Sequence, residues 1–300
     1  MQPLSKITRF RAYQLGNEGS SFSYFDGSSF FLIEGRLTDL NERAIDHELS
    51  ICNINHIDTL HVTSWDEDHC EHGELERLLD KYKPSRIEIP GYAPKTDCGE
   101  KSQMKVWAYQ NANAISRSPK TIDVATVNPQ YLSTLVTGKP FTYQNILFHP
   151  RAISGVSNDD STIKLFRSGS FSVLSLGDVE SPDISRIIQN DSLAQEVDVL
   201  ILAHHGADNG FTTDEFIKKL KPRVAICTAN FANQYDHPRQ EIRDILYQNG
   251  VNLYTTKTGD CVIKSIGTHT GQYQVVNLQA DSTEISSTVE FRSKRVNIPD

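Results

Sequence analysis

The sequence predicts a layered α/β domain, and two patterns along the chain support this prediction. In the first forty residues, strand-like runs at 8–15, 22–25 and 29–34 are separated by glycine-containing turns, which indicates an antiparallel β-meander. From residue 57 onward, apolar runs of strand length alternate with helical periodicity, as in residues 58–62 followed by 74–82. Such alternation is typical of helices packed on a sheet.

Length and composition limit the classes of function. The 300 residues suffice for a large core, and we expect one domain over residues 1–280 followed by a polar tail over 281–300. A net charge of -8 disfavours avid nonspecific binding of nucleic acid. No run approaches the roughly 18 apolar residues of a membrane span. The five cysteines are an odd number without C-x-x-C spacing, and no apolar leader follows Met1, so we expect a reducing, cytoplasmic setting.

The segment over residues 91–128 allows two interpretations. It contains a predicted helix in which Met104, Trp107, Ala108 and Ile115 share a face. We expect a packing helix whose Trp107 fills core, and a lid over a functional site is the alternative.

One stretch, residues 63–73, concentrates the polar chemistry. Asp66, Asp68 and His69 follow an apolar segment and precede an amphipathic helix, so they lie on a strand-to-helix loop. Alternate residues of an extended segment face the same way, and such a loop can direct these three side chains to one point. The pattern predicts a metal site. The alternative is a solvated acidic loop that caps the helix.

Three later loops carry further ligand types, and each follows an apolar strand. Asp178 comes after Gly177, His204 and His205 precede a glycine, and His237 precedes a proline. Imidazole and carboxylate are suitable ligands for zinc or manganese, and the glycines allow tight turns beside an ion. Each loop alone is also typical of an ordinary turn. Four such loops together favour a metal centre.

The motifs resemble those of the metallo-β-lactamase-fold hydrolases, most closely the hydrolase domain of ComEC-type DNA-uptake proteins and its free-standing relatives. The resemblance implies an α/β sandwich of two mixed β-sheets with helices outside and metals at one edge. Seven segments match the group's motifs in order, and they are residues 14–20, 31–35, 63–69, 149–161, 176–178, 203–206 and 235–238.

The resemblance also implies a set of metal ligands. Asp68, His69 and His205 would hold one ion, with Asp178 as a bridging carboxylate. A second ion would use Asp66 and His149 together with the first histidine of the motif. Serine stands at that position here, as Ser64, so we expect one strong and one weaker site for Zn²⁺ or Mn²⁺. His72 and His61 are candidates to replace the missing histidine.

The implied chemistry is hydrolysis of a phosphodiester, since a bound metal lowers the pKa of water from 15.7 toward roughly 7. Asp68 would orient the attacking group. His204, His237 and Asn158 would donate hydrogen bonds to the charge that grows on phosphate. For His237, the start of a helix at Pro238 is an equal alternative.

Two classes of function stay open at this stage. The first is a metal-dependent phosphodiesterase or nuclease, with a nucleic acid, a nucleotide or another small phosphoester as substrate. The second is a non-catalytic or regulatory module on a partly decayed hydrolase fold, which Ser64 and the acidic net charge favour.

Overall fold

The computed structural model describes residues 7–127, 145–148, 153–189, 191–267 and 271–294. Within this part of the chain, fifteen strands form two mixed sheets, one of nine strands in the order β15-β14-β13-β1-β2-β3-β4-β5-β6 and one of six in the order β12-β11-β10-β9-β8-β7. The strands are β1 (Arg9–Ala12), β2 (Phe22–Phe25), β3 (Phe30–Ile33), β4 (Thr59–His61), β5 (Arg86–Ile89), β6 (Asp123–Thr126), β7 (Asn145–Phe148), β8 (Ile163–Phe166), β9 (Ser172–Ser175), β10 (Val197–Ile201), β11 (Val224–Cys227), β12 (Asn252–Thr255), β13 (Cys261–Ser265), β14 (Gln272–Leu278) and β15 (Ile285–Arg292).

The helices lie on the outer faces of the two sheets. The described α-helices are α1 (Asp39–Ile51), α2 (His72–Tyr82), α3 (Asp97–Ala114), α4 (Pro182–Ile188), α5 (Asp191–Glu196), α6 (Asp214–Leu220) and α7 (Gln240–Gln248). Helix α2 shows why the sequence folds this way locally. The Glu71 carboxylate caps its first turn by accepting from the Glu74 N–H, and Lys83 ends it in the left-handed conformation.

Three apolar clusters account for the layers. One lies between the sheets and joins residues such as Phe10 and Tyr24 of the first sheet to Phe166 and Val199 of the second. A second cluster packs α1, α2 and part of α3 on the outside of the nine-stranded sheet, and a third packs α4 to α7 on the outside of the six-stranded sheet. The predicted α/β fold of two mixed sheets with helices outside is therefore confirmed.

The topology brings the ends of several parallel strands together. Strands β3 to β6 are parallel in one sheet, and β9 to β12 are parallel in the other. Their carboxyl ends carry the loops that begin at Glu34, Val62, Leu176, Leu202 and Thr228. In sheets of this kind, ligands bind just outside the carboxyl ends of the strands.

Two predictions about the periphery are wrong. Within the polar tail expected over residues 281–300, Ile285–Arg292 forms strand β15, which pairs with β14, and residues 295–300 lie outside the described residues. It is an edge strand with an exposed face. Its many polar residues obscure, in the sequence, the strand pattern that the alternating Val289 and Phe291 would otherwise indicate. Trp107 does not fill core either. Its side chain is 38% exposed, because the buried face of α3 consists of Gly99, Ser102 and Val106.

No described helix combines the length and the apolar character that a membrane crossing requires.

Candidate metal centre

The loop between β4 and α2 is held in place by backbone contacts with its neighbours. The Ser20 N–H donates to the Asp68 carbonyl at 3.0 Å, and the Gly35 N–H donates to the His69 carbonyl at 2.7 Å. The first contact requires glycine at position 19. Its φ of +121° is a backbone conformation that other residues rarely adopt, and a Cβ there would overlap the Asp68 carbonyl oxygen. The loop is thus fixed from the meander side before any ligand binds.

Four side chains converge at this loop, namely Asp68, His69, Asp178 and His205, with one ligand atom of each within 4.8 Å of the others. His69 Nε2 lies 2.8 Å from Asp178 Oδ2 and 3.7 Å from Asp68 Oδ2. His205 Nε2 lies 3.1 Å from Asp68 Oδ2 and 3.8 Å from Asp178 Oδ1. The structure therefore brings together the four residues predicted for the stronger site.

The other ring nitrogen of each histidine is held from outside the cluster. His69 Nδ1 lies 3.2 Å from Glu34 Oε1, and His205 Nδ1 lies 3.0 Å from both the carbonyl and the hydroxyl of Thr228. An acceptor at Nδ1 favours a proton there, and in the neutral imidazole this leaves the lone pair on Nε2 for a metal ion. Both Nε2 atoms consequently face the carboxylates as ligand atoms.

Two observations indicate that the cluster can hold a divalent cation. His69 Nε2 is buried and makes no hydrogen bond with acceptable geometry, although Asp178 lies close to it. The carboxylates of Asp68, Asp178 and Glu34 supply three negative charges around two imidazoles. A buried nitrogen lone pair directed between carboxylates is the arrangement that zinc and manganese sites use.

The shifts in the pKa values of His69, His205 and Asp68 also show that the cluster stabilises positive charge. Burial lowers the pKa of His69, but Asp178, Asp68 and Glu34 outweigh burial and raise it well above its usual value. Burial likewise lowers the pKa of His205, and the bond to Asp68 more than reverses the effect. Burial raises the pKa of Asp68, yet His69 and His205 hold it well below its usual range. The carboxylates around the two imidazoles therefore stabilise positive charge at this position.

The second predicted ion finds a different environment. Asp66 is not part of the four-residue cluster, and its Oδ2 accepts from Ser64 Oγ at 3.0 Å and from Ser157 Oγ at 2.8 Å. The Tyr92 hydroxyl bonds to both serines at 2.9 and 3.0 Å. His149, the other predicted ligand, lies outside the described residues. Among the described residues, Asp66 thus lies in a hydroxyl network with Ser64, Ser157 and Tyr92, and the expected second ion stays a prediction.

The two histidines considered as replacements for Ser64 also lie elsewhere. His61 is fully buried beside Glu88, with its Nδ1 2.9 Å from the carboxylate. His72 lies 2.7 Å from Glu71 and 3.6 Å from Cys98. Neither belongs to the four-residue cluster.

No protein-family model matches the chain. It is 26% identical over 254 residues to ComE operon protein 3 of Bacillus subtilis, an alignment that covers 83% of this chain and 30% of that protein. It is 24% identical over 99 residues to Competence protein ComA of Neisseria gonorrhoeae, covering 33% of this chain and 14% of that one.

Among solved structures, the metallo-β-lactamase-fold protein YhfI of Bacillus subtilis superposes with a TM-score of 0.50 at 12% identity. The superposition covers 86% of this chain and 100% of that one. The protein has the metallo-β-lactamase fold. The two competence proteins confirm the predicted resemblance to ComEC-type proteins. The chain spans less than a third of the length of ComE operon protein 3.

A cavity of about 590 Å³ lies beside the four-residue cluster, and Asp68 and His205 form part of its wall. His204 and His237, both predicted as hydrogen-bond donors, line it as well. The His237 ring stacks on the rings of His205 and Tyr235, with distances between ring centroids of 6.2 and 5.6 Å. Burial and the neighbouring histidines lower the pKa of His237 to about 4.

Asn158 is placed differently from the other predicted donors. It begins a short 3-10 segment, Asn158–Asp160, and is not among the described residues that line the cavity. The neighbouring Asp159 carboxylate accepts from the backbone N–H groups of Glu180 and Ser181. The segment therefore borders the Asp178 loop without reaching the cavity wall.

Sequence reasoning did not identify the supporting residues Glu34, Tyr92 and Thr228. Glu34 directly follows strand β3, which pairs in parallel with the strand that precedes the ligand loop, and its φ of +73° is uncommon for glutamate. A carboxylate at the end of a strand beside the ligand strand is a signal that could have found it. Tyr92 and Thr228 lie 28 and 23 residues from their partners Ser64 and His205, and no local pattern indicates them.

Proposed function

We propose that this protein is a metal-dependent hydrolase of phosphodiesters. The observation that supports this most is the cluster of Asp68, His69, Asp178 and His205, with both imidazoles held through Nδ1 and both Nε2 atoms facing the carboxylates. A Zn²⁺ or Mn²⁺ ion held there supplies Lewis-acid polarisation of a phosphoryl oxygen and a lowered pKa for water.

The side chains around the cluster have separate parts in the proposed reaction. Asp68, at the cavity wall, accepts a hydrogen bond from the attacking water and orients it. Asp178 lies near the Nε2 atoms of both histidines and fixes the ligand set. His204 is positioned by the Glu180 carboxylate at its Nδ1, which leaves Nε2 to face a substrate.

His237 is proposed as a neutral hydrogen-bond donor. Its pKa of about 4 means that the imidazole is uncharged at neutral pH and offers one N–H to a phosphoryl oxygen. Donors directed at developing charge contribute more than general attraction does. Asn158 would serve in this way only for a substrate that extends beyond the cavity wall.

The cavity favours a compact phosphodiester over a long nucleic acid. Among its described lining residues, Arg36 is the one Lys or Arg, and its guanidinium is already paired with Glu74 at 2.6 Å. Glu18, Glu67 and Asp68 add negative charge to the wall. A phosphate backbone that tracks across a surface needs several basic side chains. The resemblance to DNA-uptake proteins nevertheless makes nucleic acid the substrate to compare.

The test is a panel of substrates with and without metal. Single- and double-stranded DNA, cyclic dinucleotides and aryl phosphodiesters are incubated with the chelator-treated protein, then with added zinc or manganese, beside Asp68→Ala. We expect metal-dependent cleavage of the small phosphodiesters, which Asp68→Ala abolishes. Absence of cleavage of every substrate by the metal-loaded protein would exclude the proposal.

One observation favours a second candidate, a non-catalytic phosphodiester-binding module. Ser64 stands where the resemblance expects a histidine ligand, and its hydroxyl is bonded to Asp66 and Tyr92. A module of this kind would bind the panel ligands without cleaving them, so equilibrium binding measured beside turnover separates the two candidates.

We also propose a reducing, cytoplasmic setting. All five cysteines are free. Growth of disulfide-linked species when the protein is isolated without reductant from its native source would argue against this setting.

A further inference from the structure

A second group of ligand-type side chains lies outside the proposed catalytic cluster. Glu71, His72 and Cys98 each offer a ligand atom, and these atoms lie within 4.8 Å of one another. His72 Nδ1 is 2.7 Å from Glu71 Oε1 and 3.6 Å from Cys98 Sγ. The group shares no residue with the cluster of Asp68, His69, Asp178 and His205.

Its donor set matches zinc and not the hard ions. Thiolate and imidazole are the ligands that zinc prefers, at about 2.3 and 2.0 Å, and a carboxylate oxygen completes many zinc sites. Two ligands at those distances in a tetrahedron are about 3.5 Å apart, close to the 3.6 Å between His72 Nδ1 and Cys98 Sγ. The Glu71 oxygen has to withdraw by less than 1 Å to take its place, and Glu71 keeps its other oxygen on the Glu74 N–H.

The group is open to solvent. The side chains of His72 and Glu71 are 39% and 22% exposed, and Cys98 is partly buried. An ion can therefore enter, and water can occupy a fourth coordination position.

The local charge also favours a cation. Burial raises the pKa of the Cys98 thiol, and the Glu67 and Glu71 carboxylates add to this against the backbone N–H of His72. A divalent ion among these groups removes the penalty on the thiolate. The thiol proton is released to solvent when the sulfur binds the metal.

The group joins two elements that meet at the catalytic loop. Glu71 and His72 begin α2, directly after the loop that carries Asp68 and His69, and Cys98 lies in the first turn of α3. The start of α3 already rests on this loop, since Ser102 Oγ donates to the Cys70 carbonyl at 2.8 Å. A Cβ at Gly99 would lie 2.8 Å from the Trp65 carbonyl, so only glycine allows this close approach.

We propose that Glu71, His72 and Cys98 form a separate zinc-type metal site that fastens α3 to the end of the catalytic loop. The proposed role is structural, because none of the three residues is among those that line the cavity in which the substrate would bind. Its existence does not depend on the proposed phosphodiesterase activity.

Cobalt distinguishes this site from the catalytic cluster by spectroscopy. Cobalt bound to a thiolate gives a charge-transfer absorption in the near ultraviolet, whereas a site of carboxylates and imidazoles gives none. The metal-free protein is titrated with Co²⁺ alone, beside Cys98→Ser, Cys52→Ser and Asp178→Ala. Cys52 is the matched control, since it is also a partly buried free cysteine and no metal-ligand group includes it among the described residues.

The expected result is a charge-transfer band in the wild type and in Cys52→Ser, which is lost in Cys98→Ser. In Asp178→Ala, where the catalytic cluster is disrupted, the band should persist and saturate at one equivalent. Zinc content after gel filtration should fall by one equivalent in Cys98→Ser. Thermal unfolding of the metal-free proteins, which should coincide for wild type and Cys98→Ser, controls for misfolding. Absence of the band in the wild type, or its persistence in Cys98→Ser, would overturn the proposal.

Discussion

Glu34→Gln is the most informative change near the centre, because it removes one charge while keeping the shape of the side chain. The Glu34 carboxylate accepts from the Thr63 N–H at 3.0 Å and from the Thr63 hydroxyl at 2.6 Å, and it lies 3.2 Å from His69 Nδ1. All three neighbours are donors. A glutamine presents an NH₂ group to at least one of them, and either the loop or the imidazole loses its acceptor.

The expected magnitude follows from the position of Glu34 behind a ligand. Loss of an outer partner of a ligating histidine costs 10- to 100-fold in metal affinity, or about 1.4 to 2.7 kcal/mol. We expect Glu34→Gln to weaken zinc binding at the four-residue cluster by that factor. The assay is competition with a chromophoric chelator of known affinity, carried out on the Cys98→Ser background so that one site is observed.

Glu48→Gln is the matched control. Glu48 has the same 1% exposure as Glu34, and it pairs with Arg9 and Arg11 away from the centre. Both variants should lose stability when metal-free, but only Glu34→Gln should lose metal affinity. Equal metal affinity in Glu34→Gln and wild type would refute the assignment of Glu34 as the acceptor that orients His69.

Three further predictions concern the ligands, a cavity donor and a buried ion pair. Asp178→Ala should remove the metal held by the four-residue cluster while Asp66→Ala retains it, since only Asp178 of the two belongs to the cluster; elemental analysis that finds equal loss would contradict this. His237→Ala should lower turnover by about 10²-fold and leave metal content unchanged, and a variant isolated without metal would make His237 a ligand. Glu88→Gln should make the free energy of unfolding less dependent on pH in acid. Burial raises the pKa of Glu88, but Lys164 outweighs burial and holds it well below its usual value, so the ion pair stabilises the fold above about pH 4.3 and this contribution is lost as pH falls below it. Acid titrations followed by circular dichroism would detect the difference between the variant and the wild type.

Much of the fold was predictable because short local patterns in the sequence indicate its strands and turns. The meander of β1 to β3 and the strands that precede the ligand loops follow from short apolar runs and glycine turns. Helix α1 was not predicted, since its buried face includes Asn41 and Glu48 beside Ile45 and Leu49. A polar residue on a buried face weakens the periodicity that sequence reasoning uses.

The candidate site was predictable where its residues lie in motifs at strand ends. Asp68, His69, Asp178 and His205 meet because three loops, after β4, β9 and β10, leave the same edge of the two sheets. The hydroxyl network was not predictable. Tyr92 reaches Ser64 through the packing of the segment after β5 against the ligand loop, a long-range contact that spacing does not encode.

The central claim is that the four-residue cluster holds an ion required for hydrolysis of a phosphodiester. The most direct measurement follows cleavage of an aryl phosphodiester by wild type and His69→Ala, each stripped with chelator and then reloaded stepwise with zinc or manganese. The account predicts that wild-type activity rises in proportion to metal bound at the cluster, while His69→Ala stays at background. Equal activity of the two proteins, or activity in the stripped wild type that added metal does not change, would contradict it.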